Sequence, residues 1–166
     1  MKIEEKEKFF SETISNYSDL ISKICFYFST YTDEFKDLRQ EVMINLWKGM
    51  DQFCGDSELS TWIYRVCFNT CVSYKRKEKK FSKTIPLDDI ILTQTEEETL
   101  ENKEKHRLLN SLIKKLSFQD RAIILMWLDE KSYEEIASLM GMNRNTIAVR
   151  LKRIKEKLQK SYSDGK

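Results

Sequence analysis

Ser132-Tyr-Glu-Glu-Ile-Ala-Ser-Leu-Met-Gly141-Met-Asn-Arg-Asn-Thr-Ile-Ala-Val-Arg-Leu-Lys-Arg153 is the stretch that decides the fold. Ser132 stands three residues before Glu135, the spacing at which a hydroxyl caps a helix N-terminus and a carboxylate reaches back. Ile136, Ala137, Leu139 and Met140 follow as the apolar side of a short helix. Gly141 then falls where a helix ends in the left-handed conformation, which glycine adopts at least cost. Two residues on, Asn143 offers an acceptor to cap the next helix, on which Ile147, Leu151, Ile154 and Leu158 share one face. A capped short helix, a small residue at the crossing, a glycine turn and a capped basic helix form the layout of a helix-turn-helix. Away from the apolar stripe stand Arg144, Asn145, Ala148, Val149, Lys152 and Arg153. These types suit a major groove: Arg and Lys hold phosphate or guanine, Asn pairs with adenine, and Ala or Val meets a thymine methyl.

Upstream, helical periodicity continues. Phe9, Ile14, Tyr17, Leu20, Ile21, Ile24 and Phe28 predict a first long helix, and Phe35, Leu38, Val42, Leu46 and Met50 a second from about Asp33 to Met50. A third begins near Ser60 or Thr61 and runs to Lys79 or Lys80. Its core stripe is Ile63, Val66, Cys67, Thr70, Cys71 and Tyr74. Its other side carries Trp62, Arg65, Phe68, Asn69, Val72 and Arg76, a mixture of rings, cations and amide that suits stacking on bases and holding a sugar-phosphate chain. Further helices are predicted from about Leu100 to Lys115 and after Ser117, where Asp120 takes the place of Glu in a capping-box spacing.

The chain has 166 residues, with 29 Lys and Arg against 27 Asp and Glu. One proline and four glycines leave too few turns for an all-β fold. No apolar run is long enough to span a bilayer, and the charged start carries no secretory signal, so the expected place of work is the cytoplasm. The net charge of +2 hides segregation. Residues 1–83 carry 14 bases and 13 acids, residues 84–107 carry 3 and 7, and residues 108–166 carry 12 and 7. The stretch 74–83 has six bases and one acid, and 141–160 has seven and one. Two basic clusters separated by an acidic stretch with the only proline, Pro86, indicate two modules that each meet an anionic partner. The expected architecture is all-α: a helical domain over 1–81, a flexible acidic linker over 82–99, and a helix-turn-helix domain over 100–166. Cys25, Cys54, Cys67 and Cys71 read as small buried apolar residues, His106 as a surface residue. No nucleotide-binding, zinc-protease or hydrolase motif is present, so no enzyme, catalytic residue, metal, cofactor or small-molecule substrate is expected.

Two blocks of motifs in fixed order carry a resemblance. The first comprises Asp37-Leu-Arg-Gln-Glu-Val42, Leu46-Trp47, Phe53-Cys-Gly-Asp-Ser57, Ser60-Thr-Trp-Ile-Tyr-Arg65 and Asn69-Thr70. The second comprises Ser132-Tyr-Glu-Glu-Ile-Ala137, Gly141-Met142, Thr146-Ile147 and Arg150-Leu-Lys-Arg153. Over about residues 15–160 the chain resembles bacterial RNA polymerase sigma factors of the sigma-70 family, in their conserved regions two and four. The likeness is to the compact extracytoplasmic-function group. The resemblance implies that Asp37, Arg39, Gln40, Glu41, Asn45 and Trp47 meet core RNA polymerase. It implies that Phe53, Trp62 and Asn69 line a pocket for a flipped base of the minus-ten element, while Arg65, Lys75, Arg76 and Lys77 neutralise phosphates. In the last domain it implies base contacts from Ala148, Val149, Lys152 and Arg153 and backbone contacts from Arg144, Thr146 and Arg150, with Asn145 beside them, all at the minus-thirty-five element. The sequence departs from the family at Cys54, Ala148 and Val149, which replace polar or basic residues common there.

The implied partners are core RNA polymerase, promoter DNA in single-stranded and duplex form, and an anti-sigma factor. Two other readings remain open on the residues alone. A stand-alone helix-turn-helix regulator would bind duplex DNA without polymerase, and a metal- or redox-sensing switch would use the cysteines.

Overall fold

The computed structural model describes residues 1–77 and 99–165. The described residues form helices and turns, divided between two compact units. The first contains α1 (Ile3–Tyr27), α2 (Thr32–Gly49), a 3-10 turn (Met50–Gln52) and α3 (Leu59–Lys77). The second contains α4 (Leu100–Lys114), α5 (Phe118–Leu128), α6 (Tyr133–Met140) and α7 (Arg144–Asp164). The expected linker over 82–99 lies outside the described residues except for Thr99, whose hydroxyl caps α4. Among the described residues no helix is long and apolar enough to cross a membrane.

In the first unit the three helices bury the stripes that their sequences announce. Ile21, Ile24, Cys25 and Phe28 of the α1 end meet Leu38, Val42 and Leu46 of α2 and Ile63, Tyr64, Cys67 and Cys71 of α3. Each large side chain so buried stabilises the fold by about 1.5–3 kcal/mol before chain entropy is set against it. Phe68 lies opposite the core stripe in sequence and packs on the neighbouring helices: it is buried, edge-on to Phe28 at 5.7 Å and tilted against Tyr64 at 5.6 Å. The reason is that α3 packs on both α1 and α2, so it buries a wider arc than one stripe. Thr61, Tyr64 and Phe68 belong to that wider arc. Cys54 departs from expectation: Cys25, Cys67 and Cys71 are buried, but Cys54 is exposed in the loop before α3, where its thiol donates to Asp56 Oδ2 at 3.0 Å. A loop outside the helical core gives it no apolar surroundings.

The second unit starts its helices where its caps predict. Ser117 Oγ accepts from the Asp120 amide at 3.3 Å. The Asp120 carboxylate turns to Arg150 Nε at 3.4 Å. Ser132 and Glu135 make the full reciprocal box, at 3.1 Å and 2.8 Å. Gly141 is left-handed (φ 66°), and Met142 N–H closes back onto Ala137 O at 3.0 Å. Asn143 Oδ1 then takes the Thr146 amide at 2.8 Å, and α7 begins at Arg144, with Ile147, Leu151 and Ile154 buried beneath it. The turn residue and the two caps thus fix how α7 leaves α6.

Gly141→Ala should lower the unfolding free energy by about 1–2 kcal/mol, read by urea denaturation, because a Cβ is strained in the left-handed region whatever the space around it. A second expectation concerns pH. Burial pushes the Cys25 thiol up to about 12 and that of Cys67 well above its usual range. The folded chain therefore keeps protons that the unfolded chain loses above about pH 8.5. Stability from these groups is fully present below that pH and should decline as pH rises towards 12 in chemical denaturation series.

Candidate nucleic-acid interface

The first surface lies along α3. Trp62, Arg65, Asn69, Val72 and Arg76 recur at helical spacing, so one face carries all five. Arg65, Asn69 and Arg76 are exposed, as is Lys77, and Trp62 is half-buried. Trp62 lies 5.3 Å from Phe53, their planes tilted by 45°. Gly49 makes room for it: a Cβ there would come within 3.2 Å of the indole. Rings of this kind beside cations and an amide suit an unstacked base and its phosphates. Lys75 is differently engaged. Its ammonium pairs with Glu34, whose other carboxylate oxygen accepts from the Thr30 amide at 2.6 Å.

The residues expected at polymerase divide into two groups. Asp37, Gln40 and Glu41 are exposed along one side of α2. Ile44, which sequence reasoning passed over, joins that side with 39% of its surface open. An apolar residue in an acidic stripe is the signal that could have found it. Arg39, Asn45 and Trp47 turn towards the rest of the unit. Arg39 donates to Ser22 Oγ at 3.1 Å and Ser18 Oγ at 3.3 Å. Asn45 donates to Thr70 Oγ1 at 3.0 Å, and Trp47 takes the edge-on ring of Phe10 at 5.3 Å.

The second surface is the N-terminal half of α7. Asn143, Asn145, Thr146, Val149, Arg150 and Arg153 line a shallow concavity. Asn145, Lys152 and Arg153 are exposed, and Val149 is half open to solvent, while Ala148 is half-buried at its margin. Two arginines expected at the DNA backbone already have protein partners. Arg144 donates to Glu134 at 2.6 Å and lies 5.3 Å over the Tyr133 ring. Arg150 donates to Gln119 at 2.9 Å and pairs with Asp120, tying α7 to α5. The Glu134 carboxyl is held below its usual range, first by its own backbone amide and then by Arg144. His106 is exposed on α4. No group of three or more His, Cys, Asp or Glu is placed to hold a metal among the described residues.

One unit thus carries a face of rings, cations and an amide, and the other a basic helix that follows a glycine turn. Comparison with known proteins gives the class. Residues 13–81 match the family described as Sigma-70 region 2, and residues 106–158 match Sigma-70, region 4. The chain is 30% identical over 132 residues to the ECF RNA polymerase sigma-E factor of Escherichia coli K12, covering 72% of this chain and 69% of that one. It is 29% identical to RNA polymerase sigma factor YlaC of Bacillus subtilis, covering 79% of each chain. It is 25% identical to the ECF sigma factor SigW of the same organism, covering 93% of this chain and 89% of the relative. The fold is shared with the sigma factor RpoE of Bartonella quintana, solved with the anti-sigma factor NepR. That match has a TM-score of 0.73 at 21% identity, over 94% of this chain and 98% of that one. The chain belongs to the sigma-70 family, in its extracytoplasmic-function group, and is an RNA polymerase sigma factor.

Glu134→Gln should release Arg144 towards phosphate. Duplex binding by the full chain is then expected to tighten, and the slope of log affinity against log salt to steepen by up to about 0.9. Fluorescence anisotropy over a salt series reads both, and an unchanged slope would place Arg144 away from the DNA backbone.

Proposed function

We propose that the two surfaces divide promoter recognition between them. The unit within 1–81 meets polymerase and the minus-ten element, the unit within 100–166 reads the minus-thirty-five element, and residues 82–99 connect them. The observation that carries this reading is the pairing of Phe53 with Trp62 at 5.3 Å beside exposed Arg65 and Asn69. A duplex-binding regulator has no use for such a face, because stacked bases do not present their rings.

In this reading Phe53, Trp62 and Asn69 receive a base extruded from the non-template strand, and Arg65, Arg76 and Lys77 hold its phosphates. Lys75 joins them if DNA draws it from Glu34. Extrusion costs a few kcal/mol, and a ring that stacks on a base returns about 1–3 kcal/mol. On α7, Val149 and Ala148 meet methyl-bearing base edges, Asn145, Lys152 and Arg153 offer hydrogen bonds, and Arg144, Thr146 and Arg150 lie towards the backbone. Asp37, Gln40, Glu41 and Ile44 form the open part of the polymerase-docking side, with Arg39, Asn45 and Trp47 holding α2 in place behind it. The same exposed side suits an anti-sigma factor that competes with polymerase. The chain needs no catalytic group or cofactor for this work and performs it in the cytoplasm.

Core polymerase and this chain, supplied with fragmented genomic DNA, should produce discrete start sites that share two upstream elements. Trp62→Ala and Asn69→Ala should each reduce run-off transcription about 5- to 150-fold, the equivalent of 1–3 kcal/mol, while polymerase binding stays intact. Full transcription from both variants would reject the minus-ten assignment.

A further inference from the structure

The start of α1 reaches the proposed minus-ten surface, although none of its residues is among the candidate site residues. Lys6, Phe9 and Phe10 recur at helical spacing, so they share one side of α1. Lys6 pairs with Asp51 of the 3-10 turn, and its ammonium lies 4.7 Å over the Trp47 ring. Only 13% of the Lys6 side chain is exposed. Phe10 packs edge-on against the same Trp47. Phe9 stacks on Phe53, with ring centroids 6.3 Å apart and planes within 20°. Phe53 in turn meets Trp62. A relay of three rings therefore runs from α1 through the loop to α3.

The loop beyond Phe53 runs over the surface, with the Cys54 thiol donating to Asp56 Oδ2 at 3.0 Å. Cys54, Gly55 and Asp56 are exposed, and Gly55 has a left-handed backbone (φ 79°). Its anchor is Phe53, whose amide donates to Met50 O at 3.2 Å while the Met50 side chain is fully buried. A ring left free at Phe53 would have to be ordered at the moment a base arrives, and ordering a side chain on binding weakens the binding. A ring already stacked on Phe9 has lost that freedom in the folded chain.

We propose that Lys6 and Phe9 are positioning residues for promoter opening, which fix Phe53 and Trp62 in their receiving arrangement before the strand separates. This rests on the assignment of Phe53 and Trp62 to the flipped base. The two residues touch no DNA; they act through the loop. Their effect is therefore greatest where the protein must capture a base from closed duplex and small where the strand is already open.

The test uses the full chain with core polymerase on a promoter fragment recovered from the genomic transcription. It is run once as duplex and once with a mismatched bubble across the minus-ten element. A 2-aminopurine at the flipped position reports opening. Phe9→Ala and Phe9→Leu should lower opening of the duplex about three- to tenfold, the range for losing one aromatic pair, and Phe9→Tyr should retain it. On the bubble fragment all three should stay within about twofold of the parent, because capture no longer competes with base pairing. Asp51→Lys should lower duplex opening, and adding Lys6→Asp should restore it.

Trp62→Ala separates the two levels of the argument. If Trp62→Ala opens duplex normally, the base-pocket assignment fails. If it fails to open duplex while Phe9→Ala and Asp51→Lys behave as the parent, the positioning role alone is overturned. Equal losses on duplex and bubble for the Phe9 variants, together with weaker polymerase binding, would make Phe9 a general packing residue and overturn the proposal. Increased opening by Phe9→Ala would also overturn it, by showing that the ring obstructs the site.

Discussion

Among the described residues, each helix of the second unit begins on a side-chain oxygen. Thr99, Ser117, Ser132 and Asn143 each accept an amide from the first turn that follows. The unit is small, and a small unit buries too little apolar surface to define helix ends by packing alone. Caps define them instead, by satisfying amides that would otherwise lack partners. The start of α7 matters most. Asn143 fixes where α7 begins, the buried Ile147, Leu151 and Ile154 fix its rotation, and Val149 and Arg153, four residues apart, then share one open face.

The first unit relies more on rings, although Glu5 and Glu34 each accept an amide at the start of α1 and α2. The N-cap residue of α2, Tyr31, makes no side-chain cap bond. Phe28, Tyr64 and Phe68 lock the far end of the bundle, and Phe9, Phe53 and Trp62 lock the near end. Rings suit this task because each covers a large area with few rotatable bonds. The arrangement also gathers Phe9 with Phe53 and Trp62, the rings proposed to receive a base, beside the loop before α3. There the core-forming aromatics run out to solvent through Trp62. Fold and site are continuous in this unit, whereas in the second the site is a separate polar face above the core.

The helix-turn-helix was legible in sequence because its signals are local. Ser132 with Glu135, Gly141 and Asn143 each act within a few residues, and each appears where expected. The core stripe of α3 was legible for the same reason. Phe68 was not, because whether a ring at the margin of a stripe is buried depends on how many helices flank it. The stacking of Phe9 on Phe53 spans most of the first unit, and no periodicity connects the two. Side-chain engagement was equally hidden. Arg144, Arg150 and Lys75 look like free cations in sequence, yet Glu134, Asp120 and Glu34 hold them. The net charge concealed the segregation of basic clusters, and the segregation in turn concealed how many of those bases are already paired.

The distribution of thiols has a practical consequence. Three of the four cysteines lie in the core, where burial keeps Cys25 and Cys67 protonated and poorly nucleophilic. The fourth, Cys54, stands next to Phe53 in the exposed loop before α3, the loop proposed to meet the single strand. The native chain thus carries a single-site handle where a dye or spin label would sense the arrival of DNA, with no cysteine to remove first.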